Sequence, residues 1–396
     1  MKEQSLSHST ADTANPLGCV PVGSLIAKFA IPAIISMLVN ALYNIVDQIF
    51  IGQGVGMLGN AATNIAFPVT TISTAAALLL GIGGASNYNL EMGAGNERKA
   101  SQIAGSALTT LIVIGVSITM GILLFLHPLL IFFGATDNVM PYATDYISII
   151  AVGLPFFTLS VGGNHLIRAD RSPTYSMMCT LTGAIINTIL DPLFIFGFKW
   201  GIKGGAWATV IGQMIAAVLA VVINQTRNKE IQLSLKGFRP DGTIIGQIYA
   251  IGVPSIVMQA IGSVMNYGMN RILISFSSTA TAVFGVYFKL QSFVFMPAFG
   301  LNNGVIPVMA YNYGAGSRER VVKTLRHTVT YAVCIMAVGL LIFQLFPTQL
   351  LKMFSASDTM LSLGVPALRI ISLSFILAGF GISCSSIFQA LGKAVY

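Results

Sequence analysis

Apolar residues in this chain run in long blocks, each fenced by a short polar stretch. A helix needs about 20 apolar residues to cross a bilayer, and ten blocks are long enough to predict one span each. They fall near 24–50, 60–90, 99–126, 139–167, 173–197 and 203–225, then near 244–276, 280–311, 320–346 and 360–390. Prolines inside blocks, such as Pro32, Pro68 and Pro192, do not count against this reading, because packed membrane helices re-satisfy the backbone groups that proline frees. Two segments break the pattern. Residues 1–23 are polar and Ser/Thr-rich and predict a cytoplasmic tail without a cleaved signal, while 226–243 is a charged cytoplasmic linker. The linker divides the chain into a six-helix N-terminal lobe, 24–225, and a C-terminal lobe, 244–396, with four helices.

Composition removes the water-soluble alternatives. Hydrophobic residues make up 55% of the chain and charged residues 9%, against about 25% charged in soluble domains. The 40 glycines suit close helix packing. Cys19, Cys179, Cys334 and Cys384 have no metal-ligand spacing and read as free thiols. The net charge of +8 gains meaning only from its placement. With the N-terminus inside, fifteen Lys and Arg fall on internal segments against Lys199, Lys203 and Lys352 outside. That bias sets topology and leaves no case for nucleic-acid binding. The expectation is a multi-pass protein of the cell (inner) membrane, acting as a monomer within the lipid bilayer.

An internal repeat supports the same map. Glu91 to Arg98 recurs as Asn312 to Glu319, Ile31-Pro32-Ala33 as Val253-Pro254-Ser255, and Gly134 to Asp137 as Ser355 to Asp358, at offsets of 221, 222 and 221 residues. An even number of spans per unit predicts two lobes related by a pseudo-two-fold axis along the membrane normal. The fold expected is an all-α polytopic membrane protein of two six-helix lobes. At the same offset, Arg168 to Tyr175 pairs with Gln389 to Tyr396, where an eleventh span would start. The second lobe therefore reads as truncated, with about ten of twelve helices present.

One stretch carries candidate chemistry: Asn187-Thr188-Ile189-Leu190-Asp191-Pro192. Asn187 and Asp191 share a helix face at i and i+4, and Pro192 cannot donate to the carbonyl of Thr188. An acid within a membrane helix is costly and marks a functional site by default. Counting along the spans at about 1.5 Å per residue places Asp47, Tyr146 and Thr209 at a similar depth, roughly 10 Å below the outer surface. Two carboxylates close together in low dielectric cannot both stay ionised. The pair can take up a proton or, with Asn187 and Thr209, coordinate Na+; Pro32 and Pro192 are the hinges such an event would bias. No other metal and no cofactor is expected. Plainer readings stand beside this one: Asp47 as a helix end near the interface, Asp191 as structural, Tyr146 and Thr209 as ordinary interface and packing residues. The four histidines form no HExxH and no GxSxG occurs, so an enzyme is not indicated. Gly81-Ile82-Gly83-Gly84 follows no strand and reads as helix packing rather than a phosphate loop.

The combination of Ile31-Pro32-Ala33, Asn44 to Asp47, the duplicated Gly-Ala-Gly and Asn187 to Pro192 resembles the multidrug and toxic compound extrusion (MATE) family over essentially the whole chain. That resemblance implies two six-helix lobes around a central cleft. It also implies alternating access that exports cationic amphipathic compounds in exchange for H+ or Na+. It carries the cation site of the branch with an acidic N-terminal lobe onto Asp47, Asn187, Asp191 and Thr209, with Tyr146 as neighbour. The seventh and tenth spans hold no carboxylate, so the second-lobe acid of other members is missing. A flippase for lipid-linked sugars or precursors is the nearest alternative, though only Arg271, Lys289 and Arg369 lie within spans. An inactive truncated remnant is another.

Overall fold

Helices account for almost all of the residues described by the computed structural model, 15–227, 241–354 and 357–393, and no strand occurs among them. Most of the predicted tail and linker, with Lys2, Lys229, Lys236 and Arg239 and with Ser355 and Ala356 of the repeat, lies outside these residues. In hydrocarbon every backbone N–H and C=O must find a partner inside the protein, and the α-helix supplies one locally. A four-residue α1 (Pro16–Cys19) leads into α2 (Val22–Val55), α3 (Met57–Gly93), α4 (Glu97–Leu124) and a short α5 (Leu126–Phe132). The first lobe is completed by α6 (Met140–Ala169), α7 (Pro173–Pro192) and α8 (Ile202–Arg227). The second contains α9 (Gly242–Phe276), α10 (Ser278–Gly314), α11 (Arg318–Leu345), α12 (Pro347–Lys352), α13 (Asp358–Ser372) and α14 (Phe375–Ala390). Nine helices among the described residues are long and apolar enough to cross a membrane, and the α13–α14 pair, bent by 46°, makes up to ten. This is a multi-pass membrane protein.

Two features differ from the expected spans. The loop expected near 51–59 is helical except for Gly56, whose φ of 78° is open to glycine at little cost. Gly52 and Gly54, which fall between the expected spans, are packing residues within α2. A Cβ on Gly52 would lie 2.7 Å from Asn60, and one on Gly54 would overlap Ile195. The tenth span is broken rather than continuous. Its break leaves the carbonyl of Arg369 to the side chains of Gln344 (2.7 Å) and Ser372 (3.0 Å), because Leu373 N–H turns to Ile370 instead. Across the α4–α6 contact, Thr119 Oγ1 of α4 donates at 2.6 Å to Ala151 O of α6, the carbonyl that Pro155 leaves free.

The repeat is visible in the element boundaries. α3 and α10 are offset by 221 residues at both ends (57 to 278, 93 to 314), as are α4 and α11 (97 to 318, 124 to 345). Backbone detail follows the same offset: Gly95 and Gly316 have φ of 81° and 69°, and Arg171 and Gly392 have φ of 63° and 71°. The Lys99–Glu91 ion pair (2.6 Å) has its counterpart in Arg320 Nε donating to Asn312 Oδ1 (2.8 Å).

Among the described residues, the buried clusters that join the lobes lie toward one face, the one where α2 begins. Buried clusters there mix the lobes: Val22, Ile26 and Ala30 with Leu301, Val305 and Met309, and Leu79, Leu80 and Ala85 with Ile244 and Ile248. Toward the opposite face each cluster belongs to one lobe, with Ile51, Tyr146 and Ile195 in the first and Phe284, Phe343 and Phe375 in the second. The lobes are thus closed against each other at the N-terminal face, and their buried clusters separate toward the other. Glycines make the closure possible: a Cβ on Gly304 would sit 2.7 Å from the Cα of Ala30, and one on Gly93 would strike the carbonyl of Tyr311.

Candidate cation-coupling site

α7 presents small and polar residues to α8, and the two helices touch backbone to backbone at Gly183 and Gly212. A Cβ on Gly212 would lie 2.8 Å from the Gly183 carbonyl. One turn further along, that approach brings Asn187 within reach of α8. Its Nδ2 donates to Thr209 Oγ1 (3.3 Å) and, along its own helix, to Asp191 Oδ1 (3.4 Å). Both amide protons are used this way, while Asn187 Oδ1, which needs a donor, is buried with no hydrogen-bond partner. α2 brings Asp47 into hydrogen-bonding range of Asp191. Asp191, Asn187, Asp47 and Tyr146 are 0%, 3%, 7% and 7% exposed, so these four are held away from solvent, with Thr209 half-buried at their edge.

Three oxygens here, Asp47 Oδ1, Asp191 Oδ2 and Asn187 Oδ1, are buried without a partner. Unpaired buried polar atoms cost about 1–3 kcal/mol each, and three within one cluster form an acceptor set suited to a proton or to a hard cation such as Na+. An apolar cluster adjoins the group, reached one turn further along α2 at Ile51. After Pro192 the helix widens into a π-turn, Leu193–Gly197, with Phe198 N–H donating to Leu193 O at 2.9 Å. The turn points Ile195 into the space left by Gly54 and against Gly205, where it joins Ile51, Ala206, Val210 and Tyr146.

The structure therefore brings together Asp47, Asn187, Asp191 and Thr209, with Tyr146 close enough to interact electrostatically with both carboxylates. Pro192 adjoins the group and sets the π-turn. Pro32 does not join it, lying fifteen residues before Asp47, about 22 Å along α2; its carbonyl accepts from Ser36 Oγ at 2.8 Å. Sequence reasoning missed Tyr43, which lies one turn before Asp47 on α2 and within electrostatic range of both carboxylates. Its signal was the i, i+4 spacing to Asp47 on one helix face.

Two helical lobes closed at one face, with carboxylates buried in one of them, define a membrane transporter. Comparison with known proteins agrees. The MatE family model matches residues 32–193 and 254–396. The multidrug export protein MepA of Staphylococcus haemolyticus (strain JCSC1435) is 26% identical over 365 residues, 92% of this chain and 80% of that protein. MepA of Staphylococcus aureus (strain MSSA476) is 25% identical over 377 residues, 94% and 82% of the two chains. A solved structure of a multidrug resistance MATE family transporter of the MOP superfamily, in an outward-facing conformation, superposes with a TM-score of 0.90 at 26% identity, covering 96% of this chain and 85% of that one. The chain belongs to the MATE family of membrane transporters.

Proposed function

We propose that this chain exports cationic amphipathic drugs and related organic compounds across the cell (inner) membrane, in exchange for H+ or Na+, by alternating access. The observation that carries the coupling is the Asp47–Asp191 pair, buried in an apolar lobe with free carboxylate oxygens beside the free Asn187 Oδ1. Proton or Na+ at this group changes the charge beside Pro192 and the π-turn, and so biases how α7 and α2 sit; Pro32 is the second hinge. Drug export is supported by the multidrug export proteins that the chain resembles. The excess of basic residues on that side supports a cytoplasmic N-terminal face, and on this reading the lobes, closed there, open outward. The lobe boundaries at 24–225 and 244–396, with the linker 226–243, and action as a monomer belong to the same reading.

Efflux of ethidium from a pump-deficient host, with pH and sodium gradients imposed separately, tests it. Asp191→Asn is expected to remove gradient-driven efflux while leaving the protein in the membrane. Full coupled efflux by that variant would falsify the assignment.

A further inference from the structure

The second lobe holds a buried polar pocket that the coupling site does not use. Asn302 of α10 is 3% exposed, and neither its Nδ2 nor its Oδ1 has a partner; Ser383 of α14 is fully buried, and its hydroxyl also lacks one. Both line a cavity of about 10 Å³ together with Thr328 of α11 and Ser386 of α14. Those two hydroxyls donate along their own helices, Thr328 to Thr324 O (2.8 Å) and Ser386 to Ile382 O (3.0 Å), which leaves oxygen lone pairs toward the cavity.

The repeat shows why the cavity exists. The residues 221 positions earlier are Gly81, Ala107, Gly162 and His165. In the first lobe these are in tight contact: a Cβ on Gly81 would lie 2.8 Å from Gly162 Cα and 3.3 Å from His165 Cδ2, and one on the neighbouring Gly84 would lie 2.7 Å from Ala107 Cβ. Placing Asn302 and Ser383 where the first lobe has two glycines pushes the helices apart. It lines the gap with groups that need hydrogen bonds. Gly300 and Gly304, on either side of Asn302, face α2 across the closed seam.

We infer that an ordered water molecule occupies this pocket, bridging Asn302 and Ser383 between α10 and α14. A cavity of this size holds one water, which needs two to four polar partners. Water both donates and accepts, as the two halves of the Asn302 amide require. A cation satisfies the carbonyl oxygen but not the NH2 group, and no carboxylate lines the pocket to balance its charge. A dry pocket leaves three buried polar atoms unsatisfied.

The test is a structure of the full chain at a resolution that shows ordered water, in buffer with choline chloride replacing sodium chloride. A density peak within hydrogen-bonding distance of Asn302 and Ser383 is expected; an empty pocket with both side chains unpaired, or paired to other protein groups, overturns the proposal. Melting temperatures of Asn302→Ala, Ser383→Ala and the double variant give a second reading. A shared water makes the double variant lose less than the sum of the singles, and additive losses count against it. Any stabilisation by sodium chloride over choline chloride is expected to be equal in the unsubstituted chain and in Asn302→Ala. Its loss in that variant would mean that a cation, not water, sits there.

Discussion

At the scale of single residues, Asn187 is the pivot of the candidate site, because one amide holds both a hydroxyl on α8 and a carboxylate on its own helix. Both bonds are long, so neither contributes much to stability; a typical net value is about 1 kcal/mol. Removing them should affect coupling more than folding. Asn187→Ala is expected to weaken the sodium or proton dependence of ethidium efflux about 10-fold, by analogy with losses at supporting ligands, with membrane abundance unchanged. Efflux kinetics across imposed gradients check this. Asp191 and Asn187 were legible in the sequence because an acid inside an apolar block has few reasons to be there. Asp47 and Thr209 were legible through depth, a property that a helix converts directly from residue number. Tyr43 was not, since a phenol in a membrane helix is unremarkable until the packing of neighbouring helices shows which charges lie near it. The end of the first span was set too early, because glycines such as Gly52 and Gly54 lower the apolar signal whether they serve a turn or a close contact.

At the scale of elements, Pro192 changes the pitch of the helix as well as ending it, and the π-turn is what points Ile195 toward Gly54. Pro192→Ala restores an N–H for the Thr188 carbonyl and removes a penalty of about 3 kcal/mol for proline in a helix interior. The expected outcome is a regular α7, a displaced Ile195 and efflux reduced several-fold without loss of thermal stability. Paired melting and efflux measurements distinguish this from general damage. Nearly every element was legible as an apolar block, because length and hydropathy alone decide what crosses a bilayer. The joints were not. Gly56 and Ser277 each link two long helices as a single residue, and the 46° break between α13 and α14 depends on Gln344, which comes from another helix. No local pattern encodes a partner that arrives from twenty-five residues away.

At the scale of the whole molecule, the closed seam rests on glycines and on one strap. Gly304→Leu places a side chain against the backbone of Phe29 and Ala30, so the lobes cannot close there. The expected result is a cleft held open at the N-terminal face, read as greater labelling of cysteines introduced on α2 by a thiol reagent. The strap is α1 and the turn after it. Arg320 donates to Leu17 O (3.0 Å) and Val20 O (2.7 Å), and Asn312 Nδ2 donates to Leu17 O (3.0 Å). Leu17 itself is buried beside Leu25, Phe29 and Val308. Hydrogen bonds from a charged donor are worth about 1.5–3 kcal/mol each. Arg320→Ala should therefore shift the lobes toward opening at this face by at least about 10-fold, measured by the same labelling.

The one-residue joints at Gly56 and Ser277 have a consequence for anyone handling the protein. Loop tips are where proteases cut and where inserted tags are accepted, and neither joint has a tip. On the face away from the N-terminus, the segment between α5 and α6, 133–139, is the longest non-helical connection within the first lobe. A tag or an antibody epitope belongs there, because an insertion at Gly56 would pry apart two helices that turn together as one hairpin.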